Sequence, residues 1–291
     1  MRLSFIIPVK NEENTILEIL NNIPKYIEKD DEYKIFVMSD SIDRTDEIAK
    51  QAKNTRIIDC GNIGLGYSVF KGIKFAAETN PDYLFIIDGD GQTDLEDIKK
   101  FLHSAKNYKD IDIFLSSRFK EKNLIQYDYP FLNLFGTKLL KTIINYSTKY
   151  KVTDSHGGIR LFKNKVARKL MLIGDHTYVQ EFLFDTSEKN FSVMELPSKW
   201  NKRNYGKSKV VGSILKYIFN VAPILFVRLN LHKKILYSLG IIVIIMAIVL
   251  AKNLSFVEHL LMIILVILLF LAGYVLESIK NIIIYLKSKN Y

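Results

Sequence analysis

Two carboxylates one residue apart, Asp88 and Asp90, stand in the run Asp88-Gly89-Asp90-Gly91-Gln92. The apolar stretch Leu84-Phe85-Ile86-Ile87 comes directly before them, which places the pair at the end of a buried strand. Carboxylates so spaced can converge on a hard divalent cation, and Gln92 adds a neutral oxygen. Mg²⁺ or Mn²⁺ prefers such donors and bridges them to a diphosphate. Its charge would offset the charge that builds up on a departing nucleoside diphosphate. An Asp-x-Asp alone is weak, because acidic turns after strands are common. Cations suited to phosphate occur further along. Arg118, Arg160 and Arg203 offer paired N–H donors, and Lys209 offers a point charge.

The elements that must position these groups alternate along the chain. Phe5-Ile6-Ile7-Pro8-Val9 reads as a short strand, followed by a helix whose stripe is Ile16, Leu17, Ile19, Leu20 and Ile23. Then come a strand at Tyr33 to Met38, a helix at Thr45 to Ala52 and a strand at Arg56 to Asp59. A helix from about Gly66 to Ala77 precedes the strand Tyr83 to Ile87, and a further strand runs from Ile113 to Leu115. Alternation at this spacing predicts an α/β domain with a mostly parallel sheet built from right-handed βαβ units. Ligands of such sheets sit at the carboxyl ends of the strands, where the polar motifs fall.

From Val210 onward the composition turns apolar. Ile235 to Ala251 and Leu260 to Leu276 carry no charge, and each approaches the ~17–25 residues that cross a bilayer core. Lys252 and Asn253 lie between them in a tight turn, so the pair predicts a transmembrane hairpin. His232, Lys233 and Lys234 precede it, and Lys280, Lys287 and Lys289 follow it. The positive-inside rule then sets both outer flanks, and the whole N-terminal domain, in the cytoplasm of a two-span membrane protein. Val210 to Leu231, interrupted by Lys216, Pro223 and Arg228, reads as short amphipathic helices at headgroup level. The expected divisions are residues 1–209, 210–231 and 232–291.

A net charge of +10 points to an anionic partner. Nucleic acid is set aside, since the chain has no zinc pattern, RNA-binding signature or long basic arm. The single cysteine, Cys60, excludes an internal disulfide framework and suits the cytoplasm. Met1-Arg2 leads straight into Leu3 to Ile7, which is too short for a signal h-region and reads as a strand.

Taken in order, the motifs resemble the family 2 glycosyltransferases, and among them the dolichol-phosphate mannose synthase and polyprenyl-phosphate glycosyltransferase branch. Ile7-Pro8-Val9-Lys10-Asn11-Glu12-Glu13 looks like the first-strand motif, and Ser39-Asp40-Ser41-Ile42-Asp43-Arg44-Thr45 like the second. Gly64-Leu65-Gly66 resembles the glycine-bearing helix start, and Asp88 to Gln92 the metal motif. Ser117-Arg118, Asp154 with Gly157-Gly158-Ile159-Arg160, Gln180-Glu181, and Arg203 with Gly206-Lys207-Ser208-Lys209 complete the series. The likeness covers residues 1 to about 210. It departs at Ser39, which replaces a common aspartate, and before Asn133, where the branch often has an arginine.

The resemblance implies a nucleotide-diphospho-sugar transferase (GT-A-like) fold. It implies donor contacts from Pro8, Glu12, Asp40, Asp88, Arg203 and Lys209, with Mg²⁺ or Mn²⁺ held by Asp88, Asp90 and Gln92. Arg118 would face an acceptor phosphate, with Lys138 substituting for the missing arginine. Glu181 matches the catalytic carboxylate of relatives that use hydroxyl acceptors. The implied partners are a nucleoside-diphosphate sugar, a polyisoprenyl phosphate and the bilayer, and the hairpins leave room for a homo-oligomer. The implied reaction is inverting transfer of a hexose to dolichyl or undecaprenyl phosphate, with Asp90, Glu181 and Arg118 as catalytic candidates. Two alternatives stand beside it: transfer to a hydroxyl of a lipid-linked saccharide or diacylglycerol, and an inactive membrane scaffold.

Overall fold

The strand β1 (Arg2–Val9) is buried along all but its first residue, as a strand covered on both faces must be. In the computed structural model, which describes residues 1–205, 214–250 and 254–289, β1 lies inside a seven-stranded sheet. Its neighbours are β2 (Glu32–Ser39) and β4 (Tyr83–Ile87), both parallel to it, and β3 (Thr55–Asp59) extends the sheet beyond β2. β5 (Ile113–Ser117), β6 (Ile159–Lys163) and β7 (Val193–Pro197) complete the order β3-β2-β1-β4-β6-β5-β7.

Side chains alternate across the pleat, so β1 serves two cores. Phe5 and Ile7 join Phe85, Ile87 and Phe101 on one face, where Phe5 stacks flat on Phe85 at 4.8 Å. Ile6 and Met38 face the other way, beneath the helix α3 (Leu65–Glu78). The helices α1 (Ile16–Asn22), α2 (Thr45–Ala49) and α4 (Asp97–Asn107) connect the parallel strands. The helix α5 (Phe131–Ser147) follows β5, and the short helix α6 (Asn164–Lys169) follows β6. The helix α7 (Val179–Glu188) precedes β7.

The expected fold is observed, with two strands, β6 and β7, that periodicity did not reveal. β6 runs antiparallel between β4 and β5, pairing Ile159 with Ile87 and Arg160 with both Ile86 and Leu115. Because it runs backwards, its start lies at the carboxyl ends of its neighbours. Residues 154–160 therefore reach the same rim as Asp88 and Arg118.

The described chain forms two units, Met1–Asn220 and Val221–Tyr291. Between β7 and the C-terminal helices, α8 (Ile214–Arg228) contains Pro223. The second unit is dominated by α9 (Leu231–Val249) and α10 (Phe256–Lys289), which pack on each other. Tyr237 stacks on Phe270 at 4.6 Å, with Gly240 and Gly273 beneath those rings. Lys233 pairs with Glu277 at 2.8 Å. Both helices are long and apolar enough to cross a membrane. The turn residues Lys252 and Asn253 lie outside the described residues, as do Gly206, Lys207, Ser208 and Lys209.

Candidate active site

Asp88 and Asp90 emerge at the carboxyl end of β4, as the sequence pattern predicts. The turn requires Gly89, because a Cβ there would lie 2.5 Å from Val9 Cγ1 and 3.1 Å from the Pro8 carbonyl. Thr15 clamps the same turn, its hydroxyl donating to the Gly89 carbonyl at 2.9 Å. The first-strand loop and the Asp88–Asp90 turn are thus one construction. Burial and the neighbouring Asp90 charge push the Asp88 carboxyl above the usual carboxylate range, against the pull of Arg160, Arg203 and Arg118. Like charges held this close are relieved by a cation.

In this structure Arg203 supplies one. Its guanidinium donates to Asp90 at 2.5 Å and to Glu12 at 3.2 Å, joining residues 191 positions apart. Glu12 is buried and held by its own N–H, which donates to the Thr45 hydroxyl at 2.9 Å. Gln92 ties this edge together. Its amide donates to the Asn201 carbonyl at 3.1 Å, and the Asn201 N–H donates back to the Gln92 carbonyl at 2.8 Å. No group of three or more Asp, Glu, His or Cys gathers for a metal among the described residues. Two carboxylates nevertheless suit Mg²⁺ or Mn²⁺, which keep waters and are commonly held by one or two carboxylates plus substrate phosphate. The donor set therefore fits a metal shared with a diphosphate.

Asp40, at the end of β2, accepts from the Asn62 N–H at 2.7 Å and the Ser68 hydroxyl at 2.9 Å. It holds the start of α3 against the rim. Ser39 is buried and donates to Asp46, so the residue in the aspartate's usual place faces α2. Pro8 lies buried in β1 beside Gly89.

The second cluster surrounds Arg118. Its Nε and Nη2 donate to the two oxygens of Asp154 at 2.7 and 2.9 Å, and Nη1 donates to the Tyr129 hydroxyl at 3.2 Å. Its guanidinium lies 5.2 Å from the centre of the Trp200 ring. Burial pushes the Asp154 carboxyl up, but the Arg118 charge and hydrogen bonds outweigh it and hold it below its ordinary value. An acceptor phosphate at Arg118 must therefore share a guanidinium already bound in two-point fashion. The sequence reading did not name this pairing, nor Trp200 and Glu195. Trp200 is the chain's single tryptophan, and that rarity was the available signal. Glu195, pushed up by burial, accepts from the Thr153 and Asp154 N–H groups and fixes the loop from below.

Glu181 is almost wholly buried in the first turn of α7, where its two oxygens accept the Ile173 and Gly174 N–H groups at 2.7 and 2.8 Å. That loop in turn receives the Tyr67 N–H at the Asp175 carbonyl. Glu181 thus anchors a loop against α3. His156 bridges Ser155 and Gln180, each at 2.7 Å, and burial followed by the Arg118 charge lowers its imidazole to about 4. Arg160 is buried against Tyr178 and Phe182 and donates to the Val179 carbonyl. Lys138 lies exposed on α5, and Lys209 falls outside the described residues.

The family model "Glycosyl transferase family 2" matches residues 4–171, which include Pro8, Glu12, Asp40, the Asp88–Asp90 turn and the Arg118–Asp154 pair. The chain belongs to glycosyl transferase family 2. An uncharacterized protein of Methanocaldococcus jannaschii is 31% identical over 214 residues, covering 70% of this chain and 83% of its own. A dolichyl-phosphate beta-glucosyltransferase of Trichomonas vaginalis is 27% identical over 253 residues, covering 78% and 74%. Among solved structures, glucosyl-3-phosphoglycerate synthase of Mycobacterium tuberculosis superposes with a TM-score of 0.59 at 16% identity, covering 78% of each chain. That enzyme was crystallised with Mn²⁺, uridine diphosphate and phosphoglyceric acid, and also with Mg²⁺. The family 2 chain described here shares its GT-A-like fold.

Proposed function

We propose that this family 2 protein is a metal-dependent, inverting hexosyltransferase that moves a sugar from a nucleoside diphosphate to a polyisoprenyl phosphate at the cytoplasmic membrane face. The observation that carries the reading is the carboxylate pair Asp88 and Asp90 on one strand end with Glu12 and Arg203. The named activity of the Trichomonas relative and the metal and nucleotide in the Mycobacterium structure support it.

In this reading Asp88 and Asp90 would hold Mg²⁺ or Mn²⁺, with Gln92 in the same turn, and the bound ion would supply positive charge for the leaving diphosphate. Pro8, Glu12 and Asp40 line the nucleotide side. Arg203 leaves Asp90 for the diphosphate when donor binds, offering it a planar fork of donors. Lys209, outside the described residues, would add a further positive charge to the donor. On the acceptor side Arg118, held by Asp154 and Trp200, presents its edge to the lipid phosphate, and Lys138 attracts the headgroup.

A phosphate monoester has a second pKa near ~6, so the nucleophile is already largely deprotonated and needs no protein base. That agrees with Glu181, whose two oxygens are taken up by backbone amides. Hydroxyl acceptors of lipid-linked saccharides or diacylglycerol would need the base that Glu181 is poorly placed to be. The rate then derives from positioning and from charge stabilisation.

Equilibrium binding of UDP- and GDP-sugars, with Mn²⁺ or with chelator, tests the donor half. Metal-dependent binding lost in Asp90→Ala is the expected result. Equal binding with chelator, or by Asp90→Ala, would remove the metal from the account.

A further inference from the structure

The helix α5 has two apolar faces. Thr137, Leu140 and Ile144 are buried toward the domain. Phe131, Phe135, Leu139 and Tyr146 recur on the opposite side at helical spacing, with Leu132 at the edge, and all are exposed. Phe131 is 77% and Tyr146 93% accessible, so nothing among the described residues of the domain covers this stripe. It spans an arc of roughly 100°, the width of a core-facing stripe on an ordinary helix. The helix carries Lys138 and Lys141 and no acidic residue. Thr142 lies within the stripe, yet its hydroxyl donates to the Lys138 carbonyl at 2.8 Å and so needs no water.

Soluble domains rarely leave so contiguous an apolar strip uncovered. An apolar face on a helix whose only charged residues are cations, and ending in a tyrosine, is the composition of a helix that lies in a bilayer interface. The same chain carries two helices long and apolar enough to span a membrane. Covalent attachment to them would keep the stripe at high effective concentration beside lipid, so even a weak contact would be populated.

We infer that the exposed face of α5 inserts into the headgroup boundary of an anionic bilayer, making it a membrane contact within the catalytic domain, separate from the spanning helices. This rests on the reading of α9 and α10 as spans. Insertion would hold the N-terminal end of α5, and the loop that carries Tyr129, at the lipid surface.

Single cysteines carrying an environment-sensitive fluorophore test it in the full chain, reconstituted in nanodiscs. Cys60 is buried and its thiol is pushed up to about 11, so introduced surface cysteines react selectively. Labels at Phe135→Cys and Leu139→Cys are compared with Lys50→Cys, exposed beside β3 at the opposite sheet edge, and with Leu268→Cys in α10. Quenching by lipids with interfacial spin labels should be several-fold stronger at 135 and 139 than at 50, and should weaken when phosphatidylglycerol is replaced by phosphatidylcholine, while position 268, at mid-span, is read with lipids spin-labelled deep in the acyl chain. Quenching at 268 with none above the Lys50 level at 135 or 139 would overturn the inference while leaving the spans intact. No quenching at 268 would overturn both. Excimer formation between pyrene labels at 135 on two copies, without lipid quenching, would instead make the stripe a contact between copies and would overturn the lipid assignment.

Discussion

At the scale of single residues, the site divides into groups that can change partners and groups that cannot. Arg203 and Asp90 sit at the rim and belong to the first kind. If Arg203 serves the diphosphate through its planar fork, Arg203→Lys keeps the charge but loses the paired donors. Donor affinity should then fall about tenfold or more, measured by titration with a UDP-sugar, with little change in thermal stability. Asp154 and Arg118 belong to the second kind. Asp154→Asn leaves a buried guanidinium without its counter-charge and should cost about 3–5 kcal/mol, read as a lowered melting temperature. His156 adds a pH dependence. Its imidazole titrates near 4 in the folded chain against 6.5 ordinarily, so between these values the unfolded chain binds the extra proton. The contribution of His156 is complete above pH 6.5 and is lost as pH falls toward 4. Melting temperature should therefore drop across that window, and His156→Gln should flatten the drop.

At the scale of elements, much of the construction was legible beforehand. The strands containing Phe5, Phe36 and Phe85 are short apolar runs bounded by turn residues, and the chemistry follows each at its carboxyl end. β6 was not legible, because Ile159-Arg160-Leu161-Phe162-Lys163 buries a charged residue that reads as surface. Arg160 is accommodated by Tyr178 and Phe182, at the start of a helix that begins nineteen residues later. The Arg203–Glu12 and Arg118–Asp154 pairs were hidden for a similar reason. Each partner reads alone as a solvated charge, and only the sheet order brings the two together. The close approach at Gly157 is another product of topology, since a Cβ there would lie within 1.9 Å of the Ser116 carbonyl. Gly157→Ala should push β6 from β5 and misplace residues 154–160. Transfer activity should be lost even where the melting temperature shows the protein still folded. Full activity in that variant would show that the rim tolerates the shift.

At the scale of the whole molecule, a family 2 domain and a pair of long apolar helices share one chain. The acceptor proposed above has a charged head in water and a tail in lipid, so a domain tethered at the bilayer meets it without extracting it. The basic flanks at Lys233, Lys234, Lys280 and Lys287 predict that both ends of the hairpin lie on the side of the catalytic domain. Cysteines placed at either flank should resist a membrane-impermeant thiol reagent in intact cells and react after permeabilisation. Labelling of one flank before permeabilisation would contradict the two-span topology.

The central claim is the transfer itself. Radiolabelled sugar from a panel of UDP- and GDP-sugars is offered to short-chain polyprenyl phosphate in detergent, with Mn²⁺ or Mg²⁺, with chelator, and with Asp90→Ala. A glycolipid labile to mild acid is expected, formed only with metal and reduced by about 10²–10³-fold or more in the variant. Donor binding without any transfer to the lipid phosphate, but with transfer to a lipid-linked saccharide hydroxyl, would contradict it and would return Glu181 to consideration as a base.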